Sequence, residues 1–392
     1  MFPTRSLPLA ALAALASALP AQDAKPDAAT QLINQQLAAA WKAEKLTPAD
    51  KTSDEEFLRR VSLDLIGRIP TVDELDAFPK DPAADKRAKL VDKLLASPEH
   101  LRYWADLWVS WLMPPTSHRL SRDQLHLWLE EALKARMPYN EMATKLMTAT
   151  GKTNDNGAVN YVLANLGDPQ LPAKRAEEGQ FDVVPITRHS LRLFLGYRLN
   201  YDLPEKAEDS DWQPKHFWSA NVFFRQVERL GTVPLGTPLP SAILELKDNP
   251  EHNKKGVVTY ANTDGTQVAA EPAFLDGKKI AADFKGSRRQ AYAELVTAHP
   301  NFAKAHVNRL WGLFFGRGLC LGPAVDDFNI QNKVVHAGLL DGLAKELVAS
   351  KYDTRKLIRA ICLSDAYQLK STANATNAQP QTGTTRGWRC SS

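Results

Sequence analysis

The sequence predicts a mainly α fold, a multi-helical array in two segments with a small β-rich insert between them. Helix-start signals follow one another through residues 53–230, where Ser or Thr precedes Glu or Gln by three residues or stands directly before proline. Short β-like runs punctuated by proline replace these signals in 231–286. Helical periodicity returns over 287–371, so the insert separates two helical segments.

The helices of the first segment are predicted mainly from capping residues. Ser53 and Thr71 each stand three residues before a glutamate, and Ser97 precedes a proline. A linker with one helix precedes them at 22–52. Residues 150–185, rich in Gly, Asn, Asp and Pro, are predicted to be a long connecting loop. Further helices are predicted at 31–46, 85–96, 122–136 (capped by Ser121 with Gln124), 139–147, 186–198 and 215–229. Strands are predicted at 242–246, 257–260 and 266–270.

The C-terminal segment contains the helix that we expect to organise the chain. Two helices are predicted to meet at the His299-Pro300 break, and the second to end at Gly316. The second helix carries an apolar stripe at helical spacing, with polar residues on its other side. The stripe is Val307, Leu310, Trp311 and Phe314; the polar residues are His306, Asn308 and Arg309.

A polar cluster near this helix is the best candidate site. An arginine facing carboxylates forms strong bidentate hydrogen bonds, so we expect Arg309 to bind Asp326 or Asp327 and fix the 316–335 loop. We expect Asp64 and Arg68 to do the same in the first segment. A histidine beside a carboxylate could instead act as a general base. The candidate catalytic residues are therefore His306, Arg309, Asp326, Asp327 and His336, with Asn308 and Asn332 beside them.

Composition limits the function classes. The net charge of +4 is small and dispersed, and no basic run contains interleaved aromatics, so nucleic-acid binding is not predicted. Residues 1–21 have one early arginine, an apolar core and small residues near the end, which is typical of a secretory signal. We therefore expect a periplasmic or extracellular protein with no stable membrane span after cleavage. An N-terminal anchor that stays attached is the alternative.

Cysteines and aromatic residues each leave two interpretations. Cys320 and Cys362 are expected to be buried thiols or one disulfide, and Cys390 lies in a low-complexity tail, 372–392, predicted to be disordered. Trp104, Trp108 and Trp111 fall at i, i+4 and i+7, which favours core packing, whereas tryptophans lining a groove would stack on sugar rings.

Three sequence stretches carry a resemblance to a known family. They are FLRRVSLDLIGRIPTVDEL (57–75), DKRAKLVDKLLASPEHLRYWADLW (85–108) and NFAKAHVNRLWGLFFGRGL with a later DDF (301–328). The chain resembles a planctomycete secreted family that pairs two domains of unknown function, fifteen-forty-nine and fifteen-fifty-three, often behind a cytochrome-c-like domain. Relatives usually continue past residue 371 with further helices, so the resemblance implies a C-terminally truncated or frameshifted copy.

The chain departs from that family after Phe194-Leu195-Gly196. Relatives usually show a CxxCH-like stretch here, whereas this chain has the Tyr201–Glu205 region without cysteine or histidine. Because haem or zinc ligation would need those side chains, no cofactor or metal is predicted. The acidic run Glu205, Glu208, Asp209 and Asp211 could bind calcium but matches no EF-hand loop, and His216 alone is more typical of a surface residue.

The sequence leaves two predicted functions open. The first is a non-catalytic binding or assembly component of an extracytoplasmic system for polymer degradation or electron transfer, as the resemblance implies. Its partners would be other exported proteins or polysaccharide. The second is a hydrolase or redox enzyme with its site at the His306–His336 cluster. An open pocket around the cluster would favour the enzyme, and a sealed network would favour the binding component.

Overall fold

The computed structural model describes residues 27–199, 212–231, 243–262, 264–280, 286–320, 327–328, 332, 334–372, 374 and 376. Within them the fold is mainly α with small antiparallel sheets, as predicted. The helices are α1 (Ala28–Ala43), α2 (Asp54–Ile66), α3 (Val72–Ala77), α4 (Lys86–Leu95), α5 (Pro98–Leu112), α6 (Arg119–Lys134), α7 (Tyr139–Thr148), α8 (Val159–Ala164), α9 (Arg175–Glu178), α10 (Val184–Leu195), α11 (Pro214–Asn221), α12 (Arg288–Ala298), α13 (Pro300–Phe315), α14 (Ala337–Ala349) and α15 (Thr354–Leu363). The strands are β1 (Gly151–Lys152), β2 (Val227–Leu230), β3 (Glu245–Asp248), β4 (Val258–Ala261) and β5 (Gln267–Ala270).

Several predictions concern residues that the structure does not describe. The signal segment 1–21, the 201–211 region with its acidic run, Asp326 and Cys390 all lie outside the described part of the chain.

Capping residues begin the early helices as predicted, with one exception. The side chains of Ser53, Thr71 and Ser97 each accept a hydrogen bond from a backbone N–H of the first turn, which satisfies a group that the helix leaves unpaired. The prediction for α6 was wrong, because the helix begins at Arg119 and His118 caps it. Ser121 therefore lies within the first turn of α6. The apolar periodicity of a helix does not by itself fix the residue at which the helix begins.

The predicted loop 150–185 is wrong in part. Strand β1 lies at its start, and α8 carries the buried side chains of Val159, Tyr161 and Val162 into the core. Helix 215–229 was also predicted too long, since α11 ends at Asn221, a 3-10 turn follows, and β2 begins at Val227. Short elements separated by Gly and Asn show little hydrophobic periodicity in the sequence. Whether such a segment forms a helix, a strand or a loop therefore depends on its tertiary packing.

The insert pairs with strands from outside it. Strand β3 lies between β1 and β2 in a three-stranded antiparallel sheet, with Gly151 opposite Leu246 and Val227 opposite Asp248. Strands β4 and β5 form a separate antiparallel pair. The three predicted runs thus correspond to strands, and β3 attaches the insert to the helical array.

Two hydrophobic cores each combine residues from both helical segments. The first core joins α5–α8, α10 and α11 to α12, with Tyr292 and Val296 buried among N-terminal side chains. The second joins α1, α2 and α4 to α13–α15, with Trp104 and Trp311 buried in it. Trp104 and Trp108 are core residues, as the helical spacing predicted. No described helix is both long and apolar enough to span a bilayer.

Candidate functional site

His306 lies sealed inside the protein on α13. Its exposed fraction is 0%, its ring stacks on Tyr139 at 3.8 Å between centroids, and Trp108 stacks at 5.9 Å. Its Nε2 atom is 3.0 Å from the hydroxyl of Thr354, the first residue of α15. Burial, with the nearby charge of Arg309, holds the pKa of His306 well below its usual value. His306 is therefore a neutral ring that connects α13 to α7 and α15.

Arg309, one turn further along α13, is also buried. It donates a hydrogen bond to the backbone carbonyl of Leu193 in α10, and its guanidinium lies 5.9 Å from the centroid of the Trp111 ring in α5. Asp327 is buried as well, whereas Asp326 lies outside the described residues. The predicted bond between Arg309 and one of these aspartates remains a prediction, and Arg309 joins α13 to α10 and α5.

Asn308 holds the chain that follows α13. Its side-chain carbonyl accepts hydrogen bonds from the backbone N–H groups of Leu319 and Cys320, the second at 3.3 Å. Further on, the backbone N–H of Phe328 donates to the carbonyl of Gly196 at 2.6 Å. The described parts of the 316–335 loop are thus attached both to α13 and to the end of α10.

The other polar candidates lie in the segment between α13 and α14. His336 stands directly before α14, where its side chain forms no capping bond, and burial lowers its pKa. Asn332 donates to the carbonyl of Asp327 at 2.8 Å. The positions of His306, Arg309 and His336 show three different structural environments, of which the first two are closed to solvent.

Asp64 and Arg68 do not form the pair expected of them. Arg68 instead binds Glu74 at 3.0 Å and Glu99 at 2.8 Å. Asp64 accepts a hydrogen bond from the hydroxyl of Tyr367 at 2.6 Å, and burial raises its pKa to about 6. Asp64 lies in the last turn of α2, whereas Arg68 follows Gly67, whose left-handed conformation ends the helix. Arg68 therefore does not continue the helix face that carries Asp64.

An ion pair that the sequence did not indicate joins three parts of the fold. Arg289, in the first turn of α12, is 1% exposed and binds Asp248 of β3 with two parallel hydrogen bonds of 2.8 and 3.1 Å. Its other amino group donates to the carbonyls of Met147 and Ala149 at the end of α7, at 3.0 and 2.9 Å. No local pattern links positions 289 and 248, so only the folded chain shows this pair.

An open groove on another face was also missed by sequence reasoning. We name it the Trp218 groove; its volume is about 1050 Å³, and α9, α11, β4 and residues 251–257 line it. Trp218 and Tyr260 stack beside it, with 5.7 Å between centroids and 16° between ring planes. The only sequence signal was an aromatic residue on the short helix α11, and no spacing linked it to β4.

A buried arginine forms part of the wall of the Trp218 groove. Arg225 is 6% exposed, and its Nε and Nη1 atoms donate to the Asn221 side chain at 2.7 Å and the Glu178 carbonyl at 2.8 Å. Within the described chain, its Nη2 atom has no hydrogen-bond partner and no carboxylate forms an ion pair with it. Burial lowers the pKa of Arg225, and the charges of Glu178 and Asp182 oppose that shift.

The described cysteines form no disulfide, and the described residues contain no group of possible metal ligands. Cys320 and Cys362 are both buried thiols and form no disulfide, so the alternative of one disulfide between them is wrong. The Sγ atom of Cys320 lies 3.0 Å from the carbonyl of Asn332, and burial raises the pKa of Cys362. Across the described residues, no group of three His, Cys, Asp or Glu side chains is arranged to hold a metal ion.

Comparison with known proteins identifies the family. Residues 32–229 match the model of a family described as a protein of unknown function (DUF1549), and residues 288–391 match a second, also described as a protein of unknown function (DUF1553). Comparison with curated proteins and with solved structures gave no significant match. The first match alone spans half of the chain, and the two occur in the order that the sequence motifs predicted. The chain therefore belongs to the family that pairs DUF1549 and DUF1553.

Proposed function

We propose that this protein is a non-catalytic binding or assembly component that acts outside the cytoplasm. The observation that supports this proposal is the complete burial of His306, whose ring packs against Tyr139 and Trp108. A general base must approach the proton that it removes to within about 3 Å, directly or through one water molecule. A substrate cannot reach a ring that is 0% exposed and whose Nε2 atom already bonds Thr354.

The polar residues of α13 have a structural role in this proposal. His306 contacts α7 and α15, Arg309 contacts α10 and α5, and Asn308 holds the residues after α13. Buried polar side chains that bond to groups of neighbouring helices favour one arrangement of those helices, as the contact of His306 Nε2 with Thr354 does for α13 and α15. A single helix thereby fixes several others, which leaves the outer surfaces available for binding.

The extracytoplasmic setting and the partners are parts of the same proposal. Support for export comes from the signal-like residues 1–21, which lie outside the described chain. The proposed partners are other exported proteins or polysaccharide, in a system for polymer degradation or electron transfer. Membrane fractionation of cells that express the full chain, with N-terminal sequencing of the exported product, tests this part; a cytoplasmic product with an intact N-terminus would contradict it.

The absence of catalysis is tested with purified protein and His306→Gln. Both are incubated with a panel of soluble polysaccharides and with ester and glycoside chromogens, and products are followed by chromatography. We expect no turnover by either protein, and a lower melting temperature for the variant because the Thr354 contact and the ring stack are altered. Turnover by the natural protein that disappears in a folded His306→Gln variant would overturn the proposal and favour a hydrolase at the His306–His336 cluster.

A further inference from the structure

We infer that the Trp218 groove is a binding site for a neutral oligosaccharide segment. This inference rests on the proposed function, since it names the ligand class of a binding protein. It uses residues separate from the buried His306 cluster, so the two proposals depend on different parts of the molecule.

The aromatic pair supplies the apolar part of the site. Trp218 is half-buried and stacks on Tyr260, whose ring is almost fully buried and holds the indole in place. The C–H faces of a sugar ring pack on aromatic faces, and an indole N–H can donate a hydrogen bond to a hydroxyl. A rigid tryptophan at the edge of an open groove therefore suits a sugar better than a flexible aliphatic ligand.

Arg225 supplies a donor that is already oriented. Its Nε and Nη1 atoms are held by Asn221 and by the carbonyl of Glu178, which fixes the plane of the guanidinium. Arg225 is 6% exposed as a residue and lines the groove, and its Nη2 atom has no hydrogen-bond partner among the described residues. Because the other two nitrogen atoms fix the guanidinium, its Nη2 atom can donate a hydrogen bond to an oxygen atom of a ligand in the groove.

The charges around the groove indicate a neutral ligand. Acidic and basic side chains are nearly balanced along its walls: Glu177, Glu178, Asp182 and Glu251 face Arg225, Lys254 and Lys255. A polyanion would meet the four carboxylates, and Lys254 is already bound to Glu251 at 3.2 Å. A sugar hydroxyl both donates and accepts, so it bonds carboxylates and the guanidinium alike. This mixture of acceptors and donors matches several hydroxyl groups.

The size of the groove supports a chain rather than a single small molecule. Its volume of about 1050 Å³ stands at the upper end of the range of roughly 300–1,000 Å³ for ligand sites. The groove is partly open to solvent, and α9 and residues 251–257 are among the segments that line it. An oligosaccharide can thus pass through the site, with one sugar unit on Trp218.

Isothermal titration calorimetry on the purified full chain tests the inference. The probes are cellohexaose, xylohexaose and mannohexaose, with an oligogalacturonate of the same length as the charged comparison. We expect at least one neutral hexamer to bind, with a Kd that does not change with sodium chloride concentration because no ion pair with the ligand forms.

Two variants and their controls locate the binding. Trp218→Leu is expected to weaken binding about tenfold by removing the stacking face, whereas Trp128→Leu, which changes a half-buried tryptophan away from the groove, leaves it unchanged. Glu177→Gln changes only an exposed rim carboxylate and is expected to weaken binding about fivefold; Glu294→Gln is its control on α12. Thermal unfolding checks that each variant is folded.

The outcomes separate this inference from the proposed function. If no neutral hexamer binds, or if either Trp218→Leu or Glu177→Gln binds as well as the natural protein, the groove assignment is wrong and the non-catalytic proposal is untouched. Binding of the oligogalacturonate alone, weakened by salt, overturns the neutral ligand class. If a neutral hexamer binds in the groove and is cleaved, the groove assignment stands and the non-catalytic function is wrong.

Discussion

Replacement of Arg289 by methionine is the sharpest test of how the parts of this fold are joined. Methionine retains an unbranched apolar side chain but removes the charge and all donors. Asp248 then loses both of its hydrogen bonds from Arg289, and the carbonyls of Met147 and Ala149 lose theirs. The substitution thus removes the hydrogen bonds of Arg289 that link α12 to β3 and to the end of α7.

The burial of the ion pair sets the size of the expected loss in unfolding free energy. Breaking a buried ion pair by removing one partner costs about 3–5 kcal/mol, because the remaining charge is left without compensation. Arg289 is 1% exposed and the side chain of Asp248 is 16% exposed, so solvent replaces little of the loss. We expect Arg289→Met to lower the free energy of unfolding by about 4 kcal/mol, a large share of the roughly 5–15 kcal/mol typical of a domain.

The assay is urea unfolding followed by circular dichroism and by tryptophan fluorescence. Arg59→Met is the matched control, since it makes the same chemical change at an exposed position of α2. A double-mutant cycle with Asp248→Asn isolates the pair, and we expect the double variant to be more stable than the sum of the single changes predicts. A loss below about 1 kcal/mol for Arg289→Met, or additive effects in the cycle, would refute the reasoning.

The remaining predictions concern pH and backbone geometry. Asp64 has a pKa of about 6 in the fold against 3.8 when unperturbed, so its stabilising contribution is lost as pH rises through about 6. Asp64→Asn should therefore exceed the natural protein in stability by about 3 kcal/mol near pH 7 but not below pH 4, as urea titrations at each pH measure. His306 has a lowered pKa, so the natural protein should lose stability more steeply than His306→Gln as pH falls below 6.5; parallel curves would contradict this. Gly196 has φ +66°, and a Cβ there would lie 2.5 Å from the Phe328 ring, so Gly196→Ala should cost more than the roughly 1–2 kcal/mol of the left-handed conformation alone. Gly277→Ala is its control, because φ is +80° there but nothing lies within 4 Å; equal losses of melting temperature would show that Phe328 moves aside freely.

Local chemistry predicted much of the fold. Ser53, Thr71 and Ser97 began the expected helices because a capping bond forms within three residues and needs no tertiary partner. The prediction for Ser121 was wrong because a competing cap, His118, lay three residues earlier. The loop prediction for 150–185 was wrong because α8 is short and its burial depends on neighbouring helices.

The candidate site depended much more on long-range contacts. The sequence placed His306 and Arg309 on the polar side of α13, but their neighbours Thr354 and Leu193 come from distant parts of the chain. The prediction of an ion pair between Asp64 and Arg68 was wrong, because Asp64 accepts a hydrogen bond from Tyr367 and Arg68 forms an ion pair with Glu99. Hydrogen-bond partners far apart in the chain leave no periodic signal.

The sequence alone therefore determined the helical class, most helix starts, the β-rich character of the insert and the family motifs, since each is encoded within a few consecutive residues. Only the tertiary structure decided that His306 is closed to solvent, that Arg289 joins α12 to β3, and that Trp218 and Arg225 share one groove. Burial and charge pairing depend on which elements pack together, and that packing is a property of the whole chain.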